Sequence, residues 1–306
     1  MSTWARTGPI AVEVDGTAEG LRVVDYACME ALRIGAELIL AAPYHAHAAY
    51  SPMQLGELPK PPAELADASL RGAVAHIRHR YGYGLQLNAV SQEGSRLRVL
   101  PRIARHARML VVGRTRARGP QRLLAAQGNL FLAGRTGCPV IVVPLSWRPS
   151  AADRKVAVGI DGTPLSAEAL EFAFREAADR EGDLIVLHAG ESSPCEDDEH
   201  SWISRADHTM SEALAPWTRE FPAVRVTKYL TGRDAASALI HESQEVGLIV
   251  VGAHAGPLPV ADPVARRSVA AMTCPVAIVP HHPTVAERER LHARPVRRGE
   301  IVVPTY

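Results

Sequence analysis

Two stretches of the chain end an apolar run on an aspartate. Residues 9–17, PIAVEVDGT, stop at Asp15, and residues 155–163, KVAVGIDGT, stop at Asp161. An aspartate where a strand gives way to a helix accepts hydrogen bonds, from the N–H groups of its own turn or from a ligand. Farther along, MLVVG (109–113) and LIVVG (248–252) run into Gly113 and Gly252. A strand, a glycine and then a helix can hold a phosphate. Glycine lets backbone N–H groups approach, and the helix contributes its positive N-terminus. After Gly113 stand Arg114, Thr115, Arg116, Arg118 and Arg122. Arginines grip oxyanions through charge-assisted, often bidentate hydrogen bonds. They also make solvated basic surfaces, or pair with an acidic loop such as ESSPCEDDEH (191–200). All three readings stay open at this stage.

Other chemistry is poorly represented. No G-x-S-x-G elbow, Walker A lysine loop or kinase set occurs, and no G-x-G-x-x-G follows the first strand. No base or nucleophile accompanies Asp15 or Asp161, so a binding protein is expected rather than an enzyme. The thirteen histidines include His45 with His47, His76 with His79, and His281 with His282. None has zinc-ligand spacing; surface or loop positions are expected, and no metal. Cys138 and Cys274 precede prolines at the mouths of apolar strands and read as small buried hydrophobes.

The elements that must position these residues are written twice. PIAVEVDGT recurs as KVAVGIDGT, MLVVG as LIVVG, and TGCPVIVVP (136–144) as MTCPVAIVP (272–280), in the same order. The offsets are 146 residues from Asp15 to Asp161, 139 from Gly113 to Gly252 and 136 from Cys138 to Cys274. Three ordered blocks argue for duplication. In each copy a β-branched strand enters a helix. Leu21, Val24, Cys28, Ala31 and Leu32 form the stripe of the first, up to Gly35. In the second, Thr163 caps and Pro164 opens a helix bearing Ala169, Leu170, Ala173, Phe174, Ala177 and Ala178, up to Gly182. Strands follow at 37–42 and 183–189, then at 85–90 and 224–230, with helices between. Strands that are apolar on both faces and alternate with helices make parallel sheets covered on both sides.

Residues 1–148 and 149–280 are read as the two domains, with the Pro-containing stretch 144–154 at their boundary. Residues 281–306 form an extended or disordered tail whose IVVPTY end could add a strand to a sheet edge. The chain of 306 residues carries a net charge of +1 and 5% aromatics, which gives no sign of nucleic acid. No apolar run reaches membrane-helix length, the four cysteines form no C-x-x-C pair, and no secretory signal is seen. A cytoplasmic protein with reduced thiols is expected.

A strand ending in V-D-G-T or I-D-G-T, then VVG, a loop and a helix, then a closing CPV strand resembles the universal stress protein family, in a tandem two-domain form. The resemblance covers residues 9–144 and 154–280. It implies an α/β fold of two doubly wound parallel-sheet domains, Rossmann-like and similar to the adenine nucleotide alpha hydrolases. Five strands per domain, a pseudo-two-fold axis and pairing of the domains through Val140, Val143, Val276 and Val279 are implied as well. Members that bind ATP or another adenine nucleotide use the aspartate for the adenosine and a loop G-x2-G-x9-G-[ST] for the phosphates. Laid on this chain, that loop falls on Gly113, Arg116, Ala126 and Gln127, and again on Gly252, Ala255, Asp262 and Pro263.

Only the first glycine of each loop is kept. A Cβ at a left-handed position costs about 1–2 kcal/mol. Asp262 sets a negative charge where anions would lie, and Pro263 removes a donor. The usual ATP mode is therefore not expected in domain two and stays open in domain one. The candidate nucleotide residues are Asp15, Gly113, Arg114, Thr115, Arg116 and Gln127, with Asp161 and Gly252 in the second copy. The resemblance implies a regulatory binding protein of the stress response, with a homodimer as a further expectation. A scaffold acting through protein partners without nucleotide is the alternative, and a nucleotide hydrolase a weaker one.

Overall fold

The computed structural model describes residues 7–45, 61–114, 121–162, 166–190, 199–254 and 263–281. The first repeat runs β1 (Ile10–Glu13), α1 (Gly20–Ile34), β2 (Leu38–Tyr44), α2 (Pro62–Tyr81), β3 (Leu87–Glu93), α3 (Arg96–Ile103), β4 (Met109–Gly113), α4 (Gln121–Ala133) and β5 (Val140–Val143). The second runs β6 (Val156–Ile160), α5 (Ser166–Asp179), β7 (Leu184–Ala189), α6 (Glu199–Glu220), β8 (Val226–Thr231), α7 (Ala235–Glu242), β9 (Leu248–His254), α8 (Pro263–Ala271) and β10 (Val276–His281).

The strands form one ten-stranded sheet in the order β3-β2-β1-β4-β5-β10-β9-β6-β7-β8. Neighbours within each repeat are parallel, and β5 and β10 pair antiparallel at the centre. The order reads the same from either end, so a pseudo-two-fold axis relates the repeats. The central register joins Val276 to Val142, Ala277 to Ile141 and Ile278 to Val140. Val143 and Val279 are buried beyond that register, opposite Gly113 and Gly252 of β4 and β9. A strand such as VIVV, buried at all four residues, needs cover on both faces, and helices supply it.

The stripe of α1 sits slightly apart from its expected face. Val24, Cys28 and Ala31 are buried, Leu21 is half-buried, and Leu32 is 48% exposed. The helix instead turns Tyr26 and Glu30 toward the second repeat. Gly35 closes it in the left-handed conformation at φ 65°, with its N–H on the Ala31 carbonyl. In the second copy Ala169, Leu170, Ala173, Phe174 and Ala177 are buried as the spacing predicts. Thr163 and Pro164 lie outside the described residues, as do the acidic loop 191–198 and residues 282–306. The third strands start two residues later than expected, at Leu87 and Val226, and run on to Glu93 and Thr231. Both are edge strands, half-exposed, where the apolar pattern that marks a strand is weakest.

A buried polar cluster ties the repeats together. The Arg180 guanidinium donates to Glu30 at 2.9 Å, to Glu176 at 3.0 Å and to the Tyr26 hydroxyl at 3.2 Å. Arg108 donates to Glu176 and Asp179 beside it. The Tyr26 ring packs edge-on against Trp147, and burial pushes its phenol well above the usual range.

Candidate functional site

Strands β1 and β4 of the first repeat end side by side, and so do β6 and β9 of the second. Each pair opens a cleft at the carboxyl ends of the strands, where open α/β sheets hold ligands. The first cleft is about 380 Å3 and is lined by Glu13, Asp15, Thr17, Gly113, Arg114 and Arg96 among others. The second is about 200 Å3.

In the first cleft the turn after β1 is built by its own side chains. Asp15 Oδ1 accepts from the Thr17 N–H at 2.9 Å and from the Thr17 hydroxyl at 2.8 Å. Thr17 Oγ1 in turn accepts from the Gly20 N–H at 2.9 Å, and Gly16 makes the bend at φ 74°. Asp15 thus spends one oxygen on the turn, and its Oδ2 has no hydrogen-bond partner among the described residues. The Thr17 hydroxyl is committed on both sides, donating to Asp15 and accepting from Gly20. That is the geometry of a turn lock.

Gly113 ends β4 in this cleft, packed close to Val23 and Leu145. Arg114 also lines it, but one nitrogen of its guanidinium donates to the Met272 carbonyl of the second repeat at 2.6 Å. Thr115 and Arg116 fall outside the described residues, as does Arg118. Gln127 lies in the second turn of α4 and not among the residues lining the cleft. The helix begins at Gln121, earlier than the loop count allows, so residue 127 is inside it rather than at its N-terminus.

Sequence reasoning missed the strongest contact here. Arg96, the first residue of α3, donates from Nε to both carboxylate oxygens of Glu13, at 2.7 and 2.9 Å. A signal for it exists in the repeats. The offsets that align the two copies set Glu13 against Gly159 and Arg96 against Ala235. Two small residues in one copy are matched by opposite charges in the other.

In the second cleft Asp161 is locked by a different residue. The Ser166 hydroxyl accepts from the Asp161 N–H at 3.1 Å and donates to its Oδ1 at 2.8 Å. Gly252 faces it from β9. The remaining wall is apolar: Leu187 and Ala189 of β7, Ala235 and Leu239 of α7, and Val264 and Ala265 of α8. Of the phosphate-loop positions in this copy, Ala255 and Asp262 lie outside the described residues, and Pro263 starts α8.

The other candidates find ordinary surroundings. Cys28, Cys138 and Cys274 are buried and free, and burial pushes each thiol up to about 12. His76 donates from Nε2 to Asp25 Oδ1 at 2.8 Å, and the Tyr81 hydroxyl donates to the same oxygen at 3.1 Å. His281 departs from the surface expectation. It is buried against Glu168 at 3.0 Å, because β10 runs one residue past Pro280 and α5 brings its carboxylate to meet it. Among the described residues no group of three or more His, Cys, Asp or Glu could hold a metal ion. Among them, too, no helix is long and apolar enough to cross a membrane.

Comparison with known proteins agrees with this geometry. Residues 7–144 and 153–280 each match the universal stress protein family. Universal stress protein Rv2623 of Mycobacterium tuberculosis is 32% identical over 157 residues, covering 49% of this chain and 52% of its own length. A universal stress protein of Mycolicibacterium smegmatis is 31% identical over 179 residues, 56% of this chain and 60% of its own. The chain thus spans between half and two thirds of the length of these curated relatives. Among solved structures, a universal stress protein from Archaeoglobus fulgidus superimposes with a TM-score of 0.64 at 12% identity, over 92% of this chain and 98% of that one. That likeness concerns the fold. With both repeats matched by the family, the chain belongs to the universal stress protein family, as a tandem of two domains.

Proposed function

We propose that this protein is a non-catalytic binding module of the stress response that takes the adenosine part of an adenine nucleotide in the second cleft. The observation that carries this reading is the pairing, in one cleft, of a locked aspartate, Asp161, with the strand-end glycine, Gly252, over an apolar wall. An apolar wall with a few convergent polar groups suits a flat ring bearing hydroxyls. The sequence offers Ala255 and Asp262 where phosphates would lie, so the triphosphate adds nothing to binding in this reading. Domain one stays a separate question: Arg114 has committed one nitrogen to Met272, and the nucleotide roles of Thr115, Arg116 and Gln127 rest on the family resemblance.

The free, buried thiols support a reducing compartment such as the cytoplasm. The central strands β5 and β10 already pair with each other, so a homodimer would use a different surface. Titration calorimetry with adenosine, AMP, cyclic AMP and ATP tests the reading. Saturable adenosine binding that is lost in Asp161→Ala and Leu239→Trp, with ATP no tighter than adenosine, is expected. No heat with any of the four at millimolar concentration would overturn it and leave a scaffold working through protein partners.

A further inference from the structure

The two clefts differ at one equivalent pair of positions. In the second repeat these are Gly159 and Ala235, and the space beside them is the second cleft, continued by Leu187, Ala189 and Leu239. In the first repeat the same positions are Glu13 and Arg96, joined through Nε to both carboxylate oxygens. The counterparts of Leu187, Ala189 and Leu239 are Ala41, Pro43 and Leu100, by the same offsets. None of these three lines the first cleft, which is bounded instead by Glu13, Arg96, Thr17, Gly20, Val23 and Leu145. The ion pair therefore stands where the second repeat keeps its apolar wall open.

We propose that the Glu13–Arg96 pair determines the ligand class of the first cleft: it closes that repeat to an aromatic ring, so one chain takes one ring-bearing ligand. The inference rests on the reading of the second cleft given above. The physical reason is desolvation. Glu13 keeps 15% and Arg96 30% of its side-chain exposure, so both are largely withdrawn from water. The cleft has the volume for a ring, about 380 Å3, but a neutral ring seated in it strips the remaining water from the two charges and lays its apolar face against them. It has no charge to return to either, and ions desolvated in this way are costly. In the second repeat a ring displaces nothing comparable. The side chain nearest to Gly159 is Leu239, whose Cδ1 would lie 3.0 Å from a Cβ placed there. A side chain at position 159 would thus crowd Leu239, a wall of the second cleft, and glycine leaves that wall in place.

The test exchanges the two pairs in the full-length chain and counts sites. Equilibrium dialysis with labelled adenosine is run on the wild type, on Glu13→Gly/Arg96→Ala, and on Gly159→Glu/Ala235→Arg. One site per chain, two sites and loss of binding are expected, in that order. Each variant carries residues that the other repeat already accommodates in the same fold, and a thermal melt of each checks that it folds. Two sites in the wild type, or no gain in Glu13→Gly/Arg96→Ala, would overturn the inference. The same dialysis with benzimidazole, an uncharged two-ring probe, separates the two proposals. If adenosine binds none of the three proteins, the nucleoside reading fails. An added benzimidazole site in the first double variant then still upholds the role of the ion pair, and its absence sinks it.

Discussion

Glu30 and Glu176 occupy equivalent places in the two repeats, and a single arginine, Arg180, bridges them across the pseudo-two-fold axis at 2.9 and 3.0 Å. The counterpart of Arg180 in the first repeat is Ile34, so the axis is broken at a buried charge. Two buried carboxylates facing one another need that cation. Arg180→Ala leaves Glu30 with Arg33 alone and Glu176 with Arg108 alone, and removal of one partner from a buried ion pair costs up to about 3–5 kcal/mol. Urea unfolding is expected to show a loss of that size, with Arg180→Lys falling between, since an ammonium cannot reproduce the fork. A loss under about 1 kcal/mol would show the cluster to be dispensable.

The helix that walls the second cleft depends on an acid. Asp234 caps α7, accepting from the Ser237 hydroxyl at 2.8 Å and the Ser237 N–H at 3.0 Å. These bonds hold its carboxyl below the usual carboxylate range. A depressed folded-state value gives stability that is present above the unfolded value, about 3.9, and lost as pH falls through the folded one. Asp234→Ala is expected to cost about 1 kcal/mol at pH 7, the usual worth of an N-cap. The gap between the two proteins should narrow in urea titrations taken at pH 3. A gap that stays constant would assign the loss to something other than the ionised cap.

Burial sets the thiol chemistry. With their thiols pushed up to about 12, Cys28, Cys138 and Cys274 hold on the order of one part in 10,000 as thiolate at pH 8. Iodoacetamide should leave all three unmodified in the native protein within an hour, and label all three in denaturant. Peptide mass mapping reads both. Prompt native labelling of Cys138 or Cys274 would mean that its strand mouth opens to solvent.

Two glycines should answer alanine in opposite directions. A Cβ on Gly20 would fall 1.9 Å from Asp15 Oδ1, the atom that locks the turn after β1. Gly20→Ala must expel that carboxylate, and a melting temperature lower by several degrees is expected. Gly72, inside α2, meets nothing within 4 Å of a Cβ. Gly72→Ala should gain up to about 1 kcal/mol from helix propensity alone. Equal responses of the two variants would contradict the packing around Asp15.

Much of the architecture could be read along the chain because it is local. β-branched runs, Asp-Gly-Thr turns and the left-handed stop at Gly35 are decided by neighbours in sequence, and their repetition gives the parallel sheet twice over. Where the local signal is weak the chain is less legible: the half-exposed edge strands β3 and β8 lie two residues beyond their apolar starts, and Gln127 sits within α4. The candidate site was legible as two aspartates and two glycines, whose places follow from where strands end.

What stood beside them was not legible in that way. Glu13 meets Arg96 across 83 residues of chain, and Glu30 meets Arg180 across 150. By itself the sequence determined a duplicated α/β chain with an aspartate and a glycine at the mouth of each half. Only the tertiary structure decided that one mouth holds an ion pair and the other an apolar wall, and that one arginine serves both repeats. The physical reason is that a charge's meaning depends on what the fold sets within a few ångströms of it. Hydrophobic periodicity says which face of an element is buried, but not which partner waits there.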